Sequence, residues 1–172
     1  VRATNSGNNA TTTNTPVPPA KEVPRNNRKV SIVHGHNNEV KQEVSRFVEQ
    51  LGLEAIILHE QANAGMTIIE KIEHYSNDAD FALVLYTPCD LGRAITEPNP
   101  PKNRARQNVV FEHGYLIAKL GRENVCPLVK GALETPNDIS GVLYVTIDDP
   151  DAWKNQVAKE LVQCGYTLKS FF

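Results

Sequence analysis

Short, mostly apolar runs alternate along this chain with longer segments in which apolar residues recur every three or four positions. The runs at Val30–Val33, Ala55–Leu58, Phe81–Tyr86, Val125–Val129 and Val142–Ile147 are too short for helices. They also lack polar alternation, so they read as strands buried on both faces, as in a parallel sheet. Between them, Val40, Val44, Phe47, Val48 and Leu51 repeat at helical spacing, and Gly52 stops that helix. A second helix is expected from Thr67 to Ser76, with Ile68, Ile69, Ile72 and Tyr75 facing inward. A third opens in the stretch Arg104–Tyr115 and ends at Gly121. A fourth starts at Asp149-Pro150, a cap followed by proline at the first helical position, and runs to about Cys164 with Trp153, Val157 and Leu161 inward. Pro127 places the fourth strand at an edge or a bulge. The segment from Thr87 to Asn103 reads as a long polar loop.

Strands alternating with helices predict an α/β fold: a flavodoxin-like three-layer sandwich on a five-stranded, mostly parallel sheet. In such sheets ligands bind outside the carboxyl ends of the strands. The segments leaving those ends are His34–Asn37, His59–Thr67 and Thr87–Asn103, all polar or glycine-bearing. The third helix starts at the same rim.

On that helix Val109, His113, Leu116, Ile117 and Leu120 form one stripe. Glu112 falls only about 40° from Leu116, at the stripe's edge, with Asn108 and Tyr115 on its flank. A carboxylate at the border of a buried surface is costly unless something offsets its desolvation. It is solvated, paired to an arginine such as Arg104 or Arg106, or held against a polar ligand.

Composition narrows the partners. The 172 residues suffice for one domain with a real core, and 18 basic against 20 acidic residues give a formal charge of -2. That balance argues against direct nucleic-acid binding through phosphate neutralisation. No apolar run approaches membrane-spanning length and no signal-peptide pattern opens the chain, so no membrane partner is expected. Cys89, Cys126 and Cys164 are odd in number and far apart, which suits reduced thiols in a cytoplasmic protein. Residues 1–28 are rich in Asn, Thr and Pro and read as a disordered linker or lead-in to a domain spanning 29–172. The first residue is Val1 and the only methionine is Met66, so the expectation is a fragment of a longer protein with a further domain upstream.

The motifs exclude some chemistries. There is no phosphate-binding G-x-x-x-x-G-K-[ST] loop and no G-x-G-x-x-G after the first strand. His34-Gly35-His36 lacks a third metal ligand at recognisable spacing, so no metal is expected. A glycine turn flanked by imidazoles beside a helix start suits a phosphate or a ribose hydroxyl better. Cys89 has no base placed to make it a nucleophile. Glu60 and Asp90 are acids on rim loops, each ordinary alone and more suggestive together with Glu112. A single carboxylate serves poorly on ordinary glycosides, whose leaving oxygen needs an acid. It suffices where the leaving group departs neutral from a cation, as nicotinamide does from NAD+. There the enzyme mainly stabilises an oxocarbenium ion.

His34-Gly-His36, Leu58-His-Glu-Gln61, Thr67-Ile-Ile-Glu70-Lys71, Arg104-Ala-Arg-Gln-Asn-Val-Val-Phe-Glu112 and Ser140-Gly-Val-Leu-Tyr144 together resemble the TIR-like domain of predicted bacterial nucleotide-binding proteins. That family supplies effectors of the CBASS and Pycsar antiphage systems, and the likeness covers about residues 29–168. The resemblance implies a TIR fold and NAD+ glycohydrolase activity, with NAD+ as substrate and no separate cofactor. It implies Glu112 as the catalytic residue. His34, Gly35, His36, Glu60, Asp90, Arg106 and Asn108 would line the substrate pocket. It further implies self-association with other TIR domains and an upstream sensor domain that reads a cyclic nucleotide. The segment His59–Thr67 would be a mobile loop over the pocket. The aromatic that stacks on nicotinamide in some TIR enzymes has no clear equivalent; His59 and His36 are the candidates for its place. The alternatives are a TIR domain that binds a nucleotide or its own kind without catalysis, and a nucleoside-transferring enzyme using Glu112 as nucleophile.

Overall fold

The computed structural model describes residues 27–61, 64–136, 144–148 and 151–169. In chain order the elements are β1 (Lys29–Val33), α1 (Asn38–Gln50), β2 (Glu54–Ile57), α2 (Ile68–Tyr75), β3 (Phe81–Tyr86), β4 (Asp90–Gly92) and β5 (Lys102–Arg104). They continue with α3 (Gln107–Leu120), β6 (Val125–Val129), β7 (Val145–Thr146) and α4 (Ala152–Gln163). The main sheet has the order β2-β1-β3-β6-β7, and every neighbouring pair in it is parallel. The expected five-stranded α/β architecture is therefore present. Nearly all of the lead-in at residues 1–28 lies outside the described residues, as does Asp149-Pro150.

Successive residues of a strand face opposite sides, and the sheet uses both. Val30, Ile32, Phe81, Leu83 and Leu85 pack with Phe47 and Trp153, so α1 and α4 cover one face. The Phe47 and Trp153 rings meet edge to face at 4.9 Å. Val33, Ala82, Val84 and Tyr86 pack with Ile72, Val109 and Leu116, so α2 and α3 cover the other. Helix starts are fixed locally. The Asn37 side chain accepts the Val40 N–H at 3.1 Å. At α2, Thr67 and Glu70 form a reciprocal capping box. The Thr67 amide and hydroxyl both donate to the Glu70 carboxylate at 2.8 Å. These bonds, the backbone one foremost, hold the Glu70 carboxyl below the usual carboxylate range.

Four expectations need correction. Thr87–Asn103 is not purely loop: β4 and β5 form an antiparallel pair with Asp90 opposite Arg104. Three-residue polar strands have no apolar alternation to announce them, because backbone bonds alone define them. The third helix begins at Gln107, since Arg104 belongs to β5. Pro127 does not push β6 to an edge. β7 pairs only with Leu128 and Val129, beyond the proline, so the missing N–H breaks no bond on that side. On α2, Ile68 and Ile69 are exposed while Lys71 and Ile72 are buried. Helix α2 therefore turns its Lys71–Ile72 side inward, one helical step away from the stripe the isoleucines suggested.

One buried polar contact locks α3 to the sheet. The Tyr86 hydroxyl and His113 Nδ1 are 2.8 Å apart in the interior. Burial pushes the His113 imidazole down to about 4 and raises the Tyr86 phenol. A histidine buried neutral is protonated first in the unfolded chain, so acid favours unfolding between its unfolded value near 6.5 and its folded value. The unfolding midpoint is expected to fall by about 5 °C from this group between pH 6.5 and 4. His113→Gln should flatten the curve in that window, as checked by thermal melts across pH.

Candidate functional site

In the sheet order β2-β1-β3, the chain leaves β1 to one side for β2 and later returns to β1's other side with β3. The carboxyl ends of β1 and β3 therefore flank the point where the winding reverses, which is where open α/β sheets bind ligands. His34-Gly35-His36 leaves β1 there, and Thr87–Asp90 leaves β3 beside it. The two loops touch. The His36 amide donates to Cys89 Sγ at 3.4 Å, and Thr87 Oγ1 is 3.3 Å from the same sulfur. A Cβ on Gly35 would stand 2.6 Å from Cys89 Sγ and 3.7 Å from the Arg106 Cβ. Glycine is required here by this close approach. His34 Nδ1 donates to the Gly35 carbonyl at 2.7 Å, which leaves Nε2 as the acceptor of the neutral ring.

Arg106 occupies the cap position of α3 without a side-chain cap bond. Asp90 supplies one from outside: its carboxylate accepts the Gln107 amide at 3.3 Å. An acid at a helix start also suits the helix dipole. Asp90 lines a groove of about 550 Å³ with Leu91, Gly92, Arg104 and Phe111. Arg104 pairs there with Glu134 at 2.9 Å.

Glu112 sits one and a half turns into α3. It is 1% exposed, deeper than the border position expected from helix geometry. It faces a second cavity, about 390 Å³, formed with Leu58, Met66, Thr67, Ile68, Lys71 and Ile72. The turn after β2 and the start of α2 thus roof the carboxylate. That roof approaches through Ala64 and Gly65, both in left-handed backbone at φ 43° and 77°. The segment expected to cover the pocket is this one; Ala62 and Asn63 lie outside the described residues, and so does the His59 side chain.

The structure groups the expected site residues unevenly. Gly35 and His36 lie against Cys89, His34 bonds back to Gly35, Arg106 approaches Gly35, and Asp90 caps the start of α3. Asn108 is exposed on the first turn of α3 and is not part of the Glu112 cavity wall. Glu60 is committed elsewhere, in an ion pair with the buried Lys41 of α1. Lys71 is the residue that sequence reasoning missed. The T-x-x-E box at Thr67–Glu70 fixed the helix phase and offered the available signal. Among the described residues no cluster of three or more His, Cys, Asp or Glu could hold a metal ion.

A family model for the TIR domain of the CAP12/Pycsar effector protein matches residues 29–149. The chain belongs to this family. It is 48% identical over 138 residues to uncharacterized protein YuaY of Escherichia coli K12, covering 80% of this chain and 46% of YuaY. It is 39% identical over 128 residues to protein tirC of Dictyostelium discoideum, covering 68% and 63% of the two chains. It is 30% identical over 84 residues to the Pycsar effector protein PaPycTIR of Pseudomonas aeruginosa, covering 48% and 26%. The chain thus spans less than two thirds of each of these relatives. No described helix is long and apolar enough to cross a membrane.

The contact of Gly35 with Cys89 gives a direct test of the loop packing. Gly35→Ala should lower the unfolding midpoint by about 5 °C. Combining it with Cys89→Ala removes the obstructing sulfur and should recover most of that loss, as measured by thermal melts of the single and double variants.

Proposed function

We propose that this TIR domain is an NAD+ glycohydrolase that cleaves the nicotinamide–ribose bond, with Glu112 as the catalytic carboxylate. The observation that supports this reading is the buried Glu112 lining a cavity of about 390 Å³ at the carboxyl-end rim. That volume falls in the range of small-ligand pockets and admits a nicotinamide nucleoside. In the reaction the C1′–N bond breaks and its electron pair leaves with nicotinamide, which departs neutral. The ribose becomes an oxocarbenium ion. Glu112 stabilises that charge in a site shielded from water, where fixed charges act strongly. Water then adds to C1′ and releases a proton, giving ADP-ribose; attack by a group of the adenosine half gives a cyclic product instead.

The loop His34–His36, with Arg106 and Asp90, would hold the ribose and phosphates outside the cavity, and Asn108 would stand at its rim. Glu60 is left out of this set because Lys41 holds it. Activity depends on self-association, for which the exposed Ile68 and Ile69 beside the cavity offer apolar surface. In the longer protein an upstream sensor domain that reads a cyclic nucleotide would drive that assembly.

The test clusters the protein through an N-terminal tag on nickel-chelating vesicles and follows nicotinamide release from NAD+. Release is expected on vesicles, with Glu112→Gln reduced roughly 100-fold or more. Parental cleavage by Glu112→Gln would remove Glu112 from the mechanism. Saturable NAD+ binding without nicotinamide release at any density would make the domain a binding module.

A further inference from the structure

Helix α2 packs against its own hydrophobicity. It leaves Ile68 62% and Ile69 48% exposed, yet buries Lys71 to 7%. Taking an ammonium out of water is costly unless an anion answers it. Lys41, the other lysine buried this deeply among the described residues, is answered by Glu60. Lys71 lines the Glu112 cavity, and among the described residues of its wall Glu112 is the acid and Lys71 the cation. A buried acid and a buried base, from two different helices, thus share one small space.

The proposed substrate carries a fixed positive charge on its nicotinamide ring, and the reaction moves that charge onto the ribose. A carboxylate shaped to serve that cation needs a positive charge beside it when the cavity is empty. We propose that Lys71 is a displaceable counter-ion: its ammonium stands in for the substrate's cation, and the positively charged nicotinamide nucleoside takes its place. This rests on the glycohydrolase reading above. Two cations in about 390 Å³ repel each other, so the lysine yields. Its long flexible stem lies one turn from the exposed start of α2, so the head can reach water while the stem stays packed. Lys71 is therefore a positioning residue whose removal favours cationic ligands selectively.

The test compares the parent with Lys71→Met, Lys71→Gln and Lys71→Arg on vesicles. Nicotinamide release gives the KM for NAD+. Competitive inhibition gives the affinity for NADH, whose reduced ring is neutral. Met and Gln are expected to lower the NAD+ KM about fivefold or more while leaving NADH affinity unchanged, and Arg to stay near the parent. An unchanged or raised KM in both neutral variants, or equal shifts for NAD+ and NADH, overturns the inference; a merely structural lysine would give the latter. A second measurement uses the parent alone and so does not depend on how the variants fold. Reductive methylation of Lys71 is followed by mass spectrometry with and without an NAD+ analogue whose ribose ring oxygen is replaced by methylene. The analogue is added at a concentration that blocks nicotinamide release. Labelling should rise with the analogue; unchanged or reduced labelling overturns displacement. Glu112→Gln separates the two claims. If it cleaves like the parent, the glycohydrolase role of Glu112 fails. If it is inactive and the Lys71 results go the other way, only the counter-ion role fails.

Discussion

Removing a carboxylate from water is expensive, and the placement of Glu112 sets what the surrounding elements must do. Helix α3 has to keep that side chain inward without drifting, and three contacts hold it. Val109 and Leu116 bury its stripe against β3 and β6. His113 reaches Tyr86 at the carboxyl end of β3. Asp90, the first residue of β4, receives the first free amide of the helix. The polar two of these contacts tie α3 to the end of β3 and the segment that follows it, so the acid's position depends on where β3 ends.

The rim is divided by chemistry. Around Gly35 the approach is close and polar, with backbone groups, a thiol, an imidazole and a guanidinium stem within one knot of loops. Around Glu112 the described wall is largely aliphatic, with Glu112 as acid and Lys71 as base. A substrate with an anionic diphosphate and a cationic base matches this split, since phosphate favours backbone amides and helix starts while a delocalised cation favours a carboxylate in apolar surroundings.

Much of this was legible from residue order. β3 is uniformly apolar over Phe81–Tyr86, and its observed bounds are the same because every position of this strand is buried between the two helix layers. The turn of α1 into Gly52 was legible because the backbone there adopts φ 80°, which glycine accepts readily. Glu112 stood out by phase alone. The hairpin of β4 and β5 was not legible, because its pairing uses main-chain groups common to every residue. The fate of Glu60 was hidden too: its partner Lys41 lies on another element, and no spacing encodes a contact between elements. Lys71 was missed because periodicity ranks isoleucine above lysine for burial, whereas here the lysine lines the Glu112 cavity and Ile68 and Ile69 face out.

Ile68 belongs to two surfaces at once. It forms part of the wall beside Glu112, and most of its side chain meets solvent. Any body that settles on this residue also touches the doorway of the chamber behind it. Docking at the outer face and access to the carboxylate are thus mechanically inseparable, with no relay through the sheet required.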